Sequence, residues 1–296
     1  MRLSTVARSV LFVPAHVARF VAKAPTAGAD VVCLDLEDAV PLAEKEAARD
    51  AARASIGALA EAAEVWVRVN AGEGMVQADL EAVILPGLRA VMLSKSEGIE
   101  QLRFLGETIE RLEEERGIPV GTIEIVPLIE TAKGVLRAEE ICGASARVIA
   151  AAFGSEDFVA DMGVARTPDV LAYPRAHLAV ACATAGIAAI DTVDVEYRDE
   201  EYLEREMHVA RRLGFTGKLC IHPAQVAIAN LVFSPTEEEI EEARAIVEGV
   251  EQEGIAKGRA AISFGGKMVD TPHYERARRL LEMGEREIGN QIGKHE

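Results

Sequence analysis

The chain has 296 residues, 49% of them hydrophobic and 4% aromatic, and its 49 acidic against 32 basic residues give a net charge of −17. That much apolar material excludes a disordered chain. The acidity makes the chain a poor general binder of nucleic acid or anionic membrane, and so few aromatics disfavour a base-stacking platform, although a local basic pocket for a phosphorylated ligand stays compatible.

The first apolar run, residues 9–14 (SVLFVP), reads as a strand. A first helix follows, with Arg19 and Lys23 at its start. Then come run 30–37 (DVVCLDLE), an alanine-rich charged helix over 41–63, run 64–70 (EVWVRVN) and run 90–96 (AVMLSKS). Residues 99–116 carry Leu102, Leu105, Ile109 and Leu112 at helical spacing. Runs 122–131 and 147–154, a helix over 170–185, run 188–194, a helix over 199–213 and run 217–223 complete the series. The runs are rich in Val and Ile and mostly apolar on both faces, as strands of a helix-covered parallel sheet are. Eight such strand–helix units predict an α/β fold, a (β/α)8 TIM barrel over residues 1–230. A doubly wound sheet is the rival, but no GxGxxG follows the first strand.

Residues 231–296 lie outside an eight-unit barrel. Thr236 and Glu239 have capping-box spacing and open a helix. The segment AAISFGGKMVDTP has a hairpin signal at Gly265-Gly266, and a last helix follows Pro272. The expectation is a C-terminal helix–hairpin–helix arm that packs back or reaches a neighbour.

Cys33, Cys142, Cys182 and Cys220 are far apart, form no CxxC and sit among apolar or small residues, so they read as buried free thiols rather than a zinc or redox framework. No apolar run approaches the ~18 residues of a membrane span. The N-terminal apolar patch is short and meets Pro14 and His16, a poor signal peptide. A cytoplasmic protein is expected.

In a barrel, the C-terminal strand ends face the active site. The runs end in, or lead into, Asp35, Glu37 and Asp38; Arg68 and Asn70; Lys95 and Glu97; Glu130; Glu156 and Asp157; Asp191; and His222. Strand capping and loop solvation are the plain alternative for such a set. Glu130 and Asp157 end adjacent runs, and neighbouring strands about 4.8 Å apart bring two carboxylates to one cation. Two carboxylates with no nearby Cys or His suit Mg²⁺ better than zinc; two solvated loop acids are the other reading. Arg68, flanked by valines, is a planar fork for a substrate carboxylate or the structural partner of Asp35 or Glu37. Lys95 carries the same two readings. His222 is either a proton carrier or a histidine fixed by hydrogen bonds.

Eight segments together carry a resemblance: RSVLFVPA at 8–15, DLEDAVP at 35–41, RVN at 68–70, PLIET at 127–131, FGSEDF at 153–158, AIDTV at 189–193, GKLCIHPAQ at 217–225 and GGKMVDTP at 265–272. Their order and types resemble the HpcH/HpaI aldolase and citrate lyase beta-subunit superfamily, in its CoA-ester lyase branch. Each motif is weak alone; eight in order are specific, and they span nearly the whole chain. One departure is Ala15, where the family's first motif ends in glycine.

The resemblance implies a (β/α)8 barrel in a homotrimer or a dimer of trimers, using Mg²⁺, with Mn²⁺ as a substitute. It implies that Glu130 and Asp157 bind the metal, that Arg68 contacts the substrate's acid group, and that Asp35 and Glu37 support metal-bound waters. Lys95 joins this outer, substrate-facing group. Asp270 is implied to be the catalytic acid/base, brought by the arm of an adjacent subunit. The expected reaction is reversible cleavage of a 3-hydroxyacyl-CoA such as malyl-CoA, beta-methylmalyl-CoA or citramalyl-CoA into an acyl-CoA and a 2-oxo acid. The alternatives are malyl-CoA-type thioester hydrolysis, action on a citryl thioester as a citrate lyase beta subunit, and a catalytically silent CoA-ester-binding subunit. Presence of Asp270 and its arm favours free CoA thioesters as substrates. Arg19 and Lys23 are candidates by position for the CoA phosphates, or ordinary helix-surface charges.

Overall fold

Two-residue periodicity organises the first 233 residues. A computed structural model describes residues 7–254, 261–265 and 267–292, and the chain divides into two compact units, Met1–Phe233 and Ser234–Glu296. In the first, β1 (Ser9–Pro14), β2 (Val31–Asp35), β3 (Glu64–Val69), β4 (Leu88–Leu93), β5 (Glu124–Ile129), β6 (Ala150–Phe153), β7 (Ala188–Asp191) and β8 (Gly217–Cys220) pair in parallel, each with its sequence neighbour. β8 closes on β1 through Leu11 opposite Cys220, so the sheet is a closed barrel without edges.

Side chains alternate across that wall. Val31 and Cys33 of β2, Trp66 of β3, Met92 of β4, Val126 and Leu128 of β5 and Ile190 of β7 belong to the cluster that fills the lumen. Their neighbours in sequence, among them Val32, Leu34, Val65, Val67 and Ile125, pack instead against the surrounding helices. A strand buried on both faces needs no polar face, which is why the runs read as continuously apolar.

The helices are α1 (Ala18–Lys23), α2 (Lys45–Ala60), α3 (Glu73–Val83), α4 (Ile99–Glu115), α5 (Ala132–Leu136), α6 (Ala138–Cys142), α7 (Ser155–Met162), α8 (Pro168–Ala185), α9 (Glu200–Leu213) and α10 (Pro223–Phe233). α4 buries Leu102, Leu105, Ile109 and Leu112, the stripe its spacing predicts. α1 is a single short helix, so Lys23 stands at its end rather than its start. α10 runs on through the buried Val232 and Phe233, and the division between the units falls there. All four cysteines are free and buried. No helix among the described residues is long and apolar enough to cross a membrane.

In the second unit, α11 (Glu237–Gly249) begins at a capping box in which the Thr236 hydroxyl accepts from the Glu239 N–H and the Glu239 carboxylate accepts from the Thr236 N–H. An antiparallel pair, β9 (Ala261–Phe264) and β10 (Lys267–Asp270), precedes α12 (Thr271–Ile292). Ala243, Ile246, Val269 and Ala277 form the core of this unit.

Candidate active site

Strand parity selects the residues at the C-terminal mouth of the barrel. Asp35 continues the inward series of Val31 and Cys33; Arg68 follows Trp66; Glu130 follows Val126 and Leu128. All three line one pocket of about 360 Å³, together with Asp157, Asp38 and Phe12.

Arg68 is clamped. Its Nε and Nη2 donate to the two oxygens of Asp35, each at 2.7 Å, the paired geometry a guanidinium makes with a carboxylate. Asp35 sits opposite Arg68 in the β2–β3 register and also accepts from the backbone N–H groups of Glu37 and Ala39. The structure shows Arg68 as the ion-pair partner of Asp35, and the same guanidinium lines the pocket. The Asp35 oxygens are thus taken by the guanidinium and by the turn after β2. Arg68 Nη1 lies 3.2 Å from both Glu37 and Asp38, and its guanidinium stacks 4.6 Å from the centre of the Phe12 ring. Lys45 holds the same turn by donating to the carbonyls of Leu36 and Glu37 and to Asn70 Oδ1.

Lys95 spans the other side. Its ammonium donates to Glu37 Oε1 at 2.7 Å and lies 3.3 Å from Asp157 Oδ1. Its backbone N–H donates to Glu130 Oε1 at 2.7 Å. Lys95 has φ of +44°, the one left-handed non-glycine residue among those described, a conformation that costs about 1–3 kcal/mol. Backbone strain of this kind concentrates where function over-determines the geometry.

Glu130 is 2% exposed. Burial pushes its carboxyl up to about 8; the Lys95 N–H works against that rise and the negative charge of Asp157 adds to it. Burial likewise lifts Glu37 to about 7, helped by its hydrogen bond to Asp38. Asp157 enters on the first turn of α7, behind Gly154, and is a third exposed. Gly154 leaves the space Glu130 needs: a Cβ there would stand 2.5 Å from Glu130 Oε2. The donors at the mouth are all hard oxygens, the set that holds Mg²⁺ or Mn²⁺. Among the described residues no three acids, histidines or cysteines converge into a full metal cage. A pair of carboxylates with water or substrate completing the shell suits Mg²⁺, and the residues present fit such an ion.

Other predicted positions lie elsewhere. Asp191 has the opposite parity to Ile190 and points out of the lumen, where Arg175 donates to it twice at 3.0 Å and Lys218 at 2.8 Å. It is a buried ion cluster between wall and helices, not part of the pocket. Glu156 lines the pocket and pairs with Arg166 at 2.9 Å. His222 stacks on Tyr197, with ring centres 4.3 Å apart, and its Nδ1 accepts from the Ala224 N–H. It is a fixed histidine outside the pocket lining. Arg19 and Lys23 are exposed on α1. Ala15 continues the β1–β2 pairing, its N–H donating to the Asp35 carbonyl at 3.1 Å, and the turn is closed by the Val17 N–H donating to the Pro14 carbonyl. In the second unit Asp270 ends β10 and touches His273 on the first turn of α12, Oδ1 to Nδ1 at 2.5 Å. Phe12 and Gly154 are lining residues that the sequence reading did not single out, while Asp38, placed there at a strand end, lines the pocket as well. Parity along β1 and β6 was the signal for Phe12 and Gly154; the acidic run itself contained Asp38.

An acid-lined barrel mouth holding one clamped arginine and a carboxylate pair fit for a divalent cation defines a class of metal-assisted TIM-barrel enzymes. Residues 8–223 match the HpcH/HpaI aldolase/citrate lyase family, and the chain belongs to it. It is 38% identical over 280 residues to the citrate lyase subunit beta of Leuconostoc mesenteroides subsp. cremoris, covering 93% of this chain and 92% of that one. It is 31% identical over 296 residues to the mitochondrial citramalyl-CoA lyase of Rattus norvegicus, covering 93% and 85%. Among solved structures it is similar to the Mycobacterium tuberculosis protein CitE in complex with magnesium, acetoacetate and coenzyme A, with a TM-score of 0.74, 34% identity and coverage of 93% and 97%. The M. tuberculosis citrate lyase beta subunit complexed with oxaloacetate and magnesium matches with a TM-score of 0.66 and 34% identity, over 79% of this chain and all of that one.

Proposed function

We propose that the chain is a Mg²⁺-dependent carbon–carbon lyase that reversibly cleaves a 3-hydroxyacyl-CoA into an acyl-CoA and a 2-oxo acid. Malyl-CoA, beta-methylmalyl-CoA and citramalyl-CoA are the substrates to test. The observation that carries this reading is the convergence of Glu130, Asp157 and Arg68 on one pocket at the barrel mouth. Glu130 and Asp157 hold the cation, which when bound supplies Lewis acidity to the substrate's hydroxyl and carboxylate oxygens.

This chain's own groups do the rest. Arg68, fixed by Asp35, orients the substrate carboxylate and stabilises negative charge on its oxygens. As the hydroxyl proton passes to water and its oxygen becomes the carbonyl of the 2-oxo acid, the bond between that carbon and the carbon next to the thioester breaks and leaves the electron pair on the acyl-CoA as an enolate. Asp270, from a neighbouring copy in a trimer or hexamer, delivers a proton to that carbon; in condensation it removes one. Arg19 and Lys23 are assigned to the CoA phosphates.

The test is a product assay by mass spectrometry with purified protein, Mg²⁺ and each thioester. The expected products are acetyl-CoA or propionyl-CoA plus glyoxylate or pyruvate, lost in EDTA. Asp270→Asn slows turnover about 10²–10⁴-fold. Free CoA with an intact hydroxy acid would make the chain a thioesterase instead. The full-length likeness to a citrate lyase beta subunit favours a second reading, a citryl thioester borne on a partner protein. Cleavage of that substrate, with free CoA esters untouched, would establish it.

A further inference from the structure

Lys95 places two donors of one residue on two different acids. The left-handed turn after β4 aims its backbone N–H at Glu130 Oε1, 2.7 Å away. Its side chain leaves in another direction, and the ammonium lies between Glu37 Oε1 at 2.7 Å and Asp157 Oδ1 at 3.3 Å, with Asp38 at 3.9 Å. An ammonium and a divalent cation seek the same hard oxygens, and two cations cannot share one carboxylate without mutual repulsion.

We propose that Lys95 sets the cation affinity of the site, its ammonium competing with the divalent cation for Asp157 while its backbone N–H fixes Glu130 for that cation. The inference rests on Glu130 and Asp157 being the cation pair. The two roles belong to different parts of the residue, so they separate on substitution. The shorter contact to Glu37 gives the ammonium a second seat when Asp157 turns to the ion. The consequence is a cation that exchanges readily rather than one locked in place.

The test is calorimetric titration of Mg²⁺ into wild type, Lys95→Met and Lys95→Arg, with Mn²⁺ binding followed by electron paramagnetic resonance. Methionine is as long as lysine up to the charge and tolerates the turn equally, so the N–H to Glu130 survives. Lys95→Met is expected to bind Mg²⁺ at least tenfold more tightly than wild type, and Lys95→Arg within threefold of it. In EDTA the Lys95→Met protein melts lower than wild type, and Mg²⁺ raises its melting temperature by more. Equal or weaker Mg²⁺ binding by Lys95→Met overturns the inference; Lys95→Gln repeats the test should the methionine variant not fold. Absence of Mg²⁺ binding by wild type, or unchanged binding by Glu130→Gln and Asp157→Asn, overturns the cation pair itself and the inference with it.

Discussion

A single methyl group decides whether Glu130 can face the pocket. A Cβ on residue 154 would stand 2.7 Å from the Glu130 Cβ and closer still to its Oε2. Gly154 has ordinary extended backbone, so the demand is steric and comes from this one neighbour. Gly154→Ala is therefore expected to turn the Glu130 carboxylate away and weaken Mg²⁺ binding at least tenfold, while crowding costs about 1–3 kcal/mol. Calorimetry reads the first effect and chemical denaturation the second. At this scale much of the site is legible in the sequence, because a period of two is enough to put Asp35, Arg68 and Glu130 on the inner face. Asp191 misleads because identity without parity does not distinguish a strand end inside the lumen from one outside it. The Lys95 turn is not legible: a positive φ at lysine leaves no mark in composition, and only tertiary packing enforces it.

Elements read well where amphipathic contrast is strong. α4 has an apolar stripe and a charged face, and its extent, Ile99–Glu115, differs by one residue from the sequence reading. α10, PAQVAIANLVF, has no charged face to contrast with, and α3 carries Gly74 early; neither announces itself as a helix. α3 nonetheless positions the mouth. Its Asp79, wholly buried, accepts from the Asn70 backbone and side-chain N–H groups and from Arg49 on α2. One carboxylate thereby ties α2 and α3 to the end of β3, just past Arg68. Asp79→Ala leaves the Asn70 donors and the guanidinium short of a partner, and is expected to cost about 3 kcal/mol in urea denaturation. Full stability in that variant would show the loop to be held by other contacts.

Across the whole barrel, a second concentration of buried charge, apart from the mouth, joins β7, β8 and α8. Burial on its own raises the Asp191 carboxyl, but the Lys218 and Arg175 charges outweigh it and hold the group below its ordinary value of 3.8. A carboxyl depressed by folding contributes stability that is fully present above that value and is lost as pH falls through the lower, folded one. Asp191→Asn removes this term and leaves Lys218 and Arg175 without their shared anion. The melting-temperature gap between wild type and Asp191→Asn should be widest near neutral pH and should narrow as pH drops below about 4. A gap that stays constant from pH 7 to pH 2.5 would mean that Asp191 does not carry the linkage. The alternating βα pattern makes the architecture legible, whereas this cluster escapes notice because its members come from three separate segments.

The cysteines, seen earlier only as buried thiols, also have a chemical consequence. Cys33 lies in the lumen of the closed wall and Cys220 beneath the helices, both fully enclosed, and burial pushes the Cys220 thiol up to about 12. Neither presents a thiolate to solvent. An electrophile meets Cys33 only when strands part. Oxidation of Cys33 is thus coupled to opening of the barrel, and its modification keeps a record of how often the strands part.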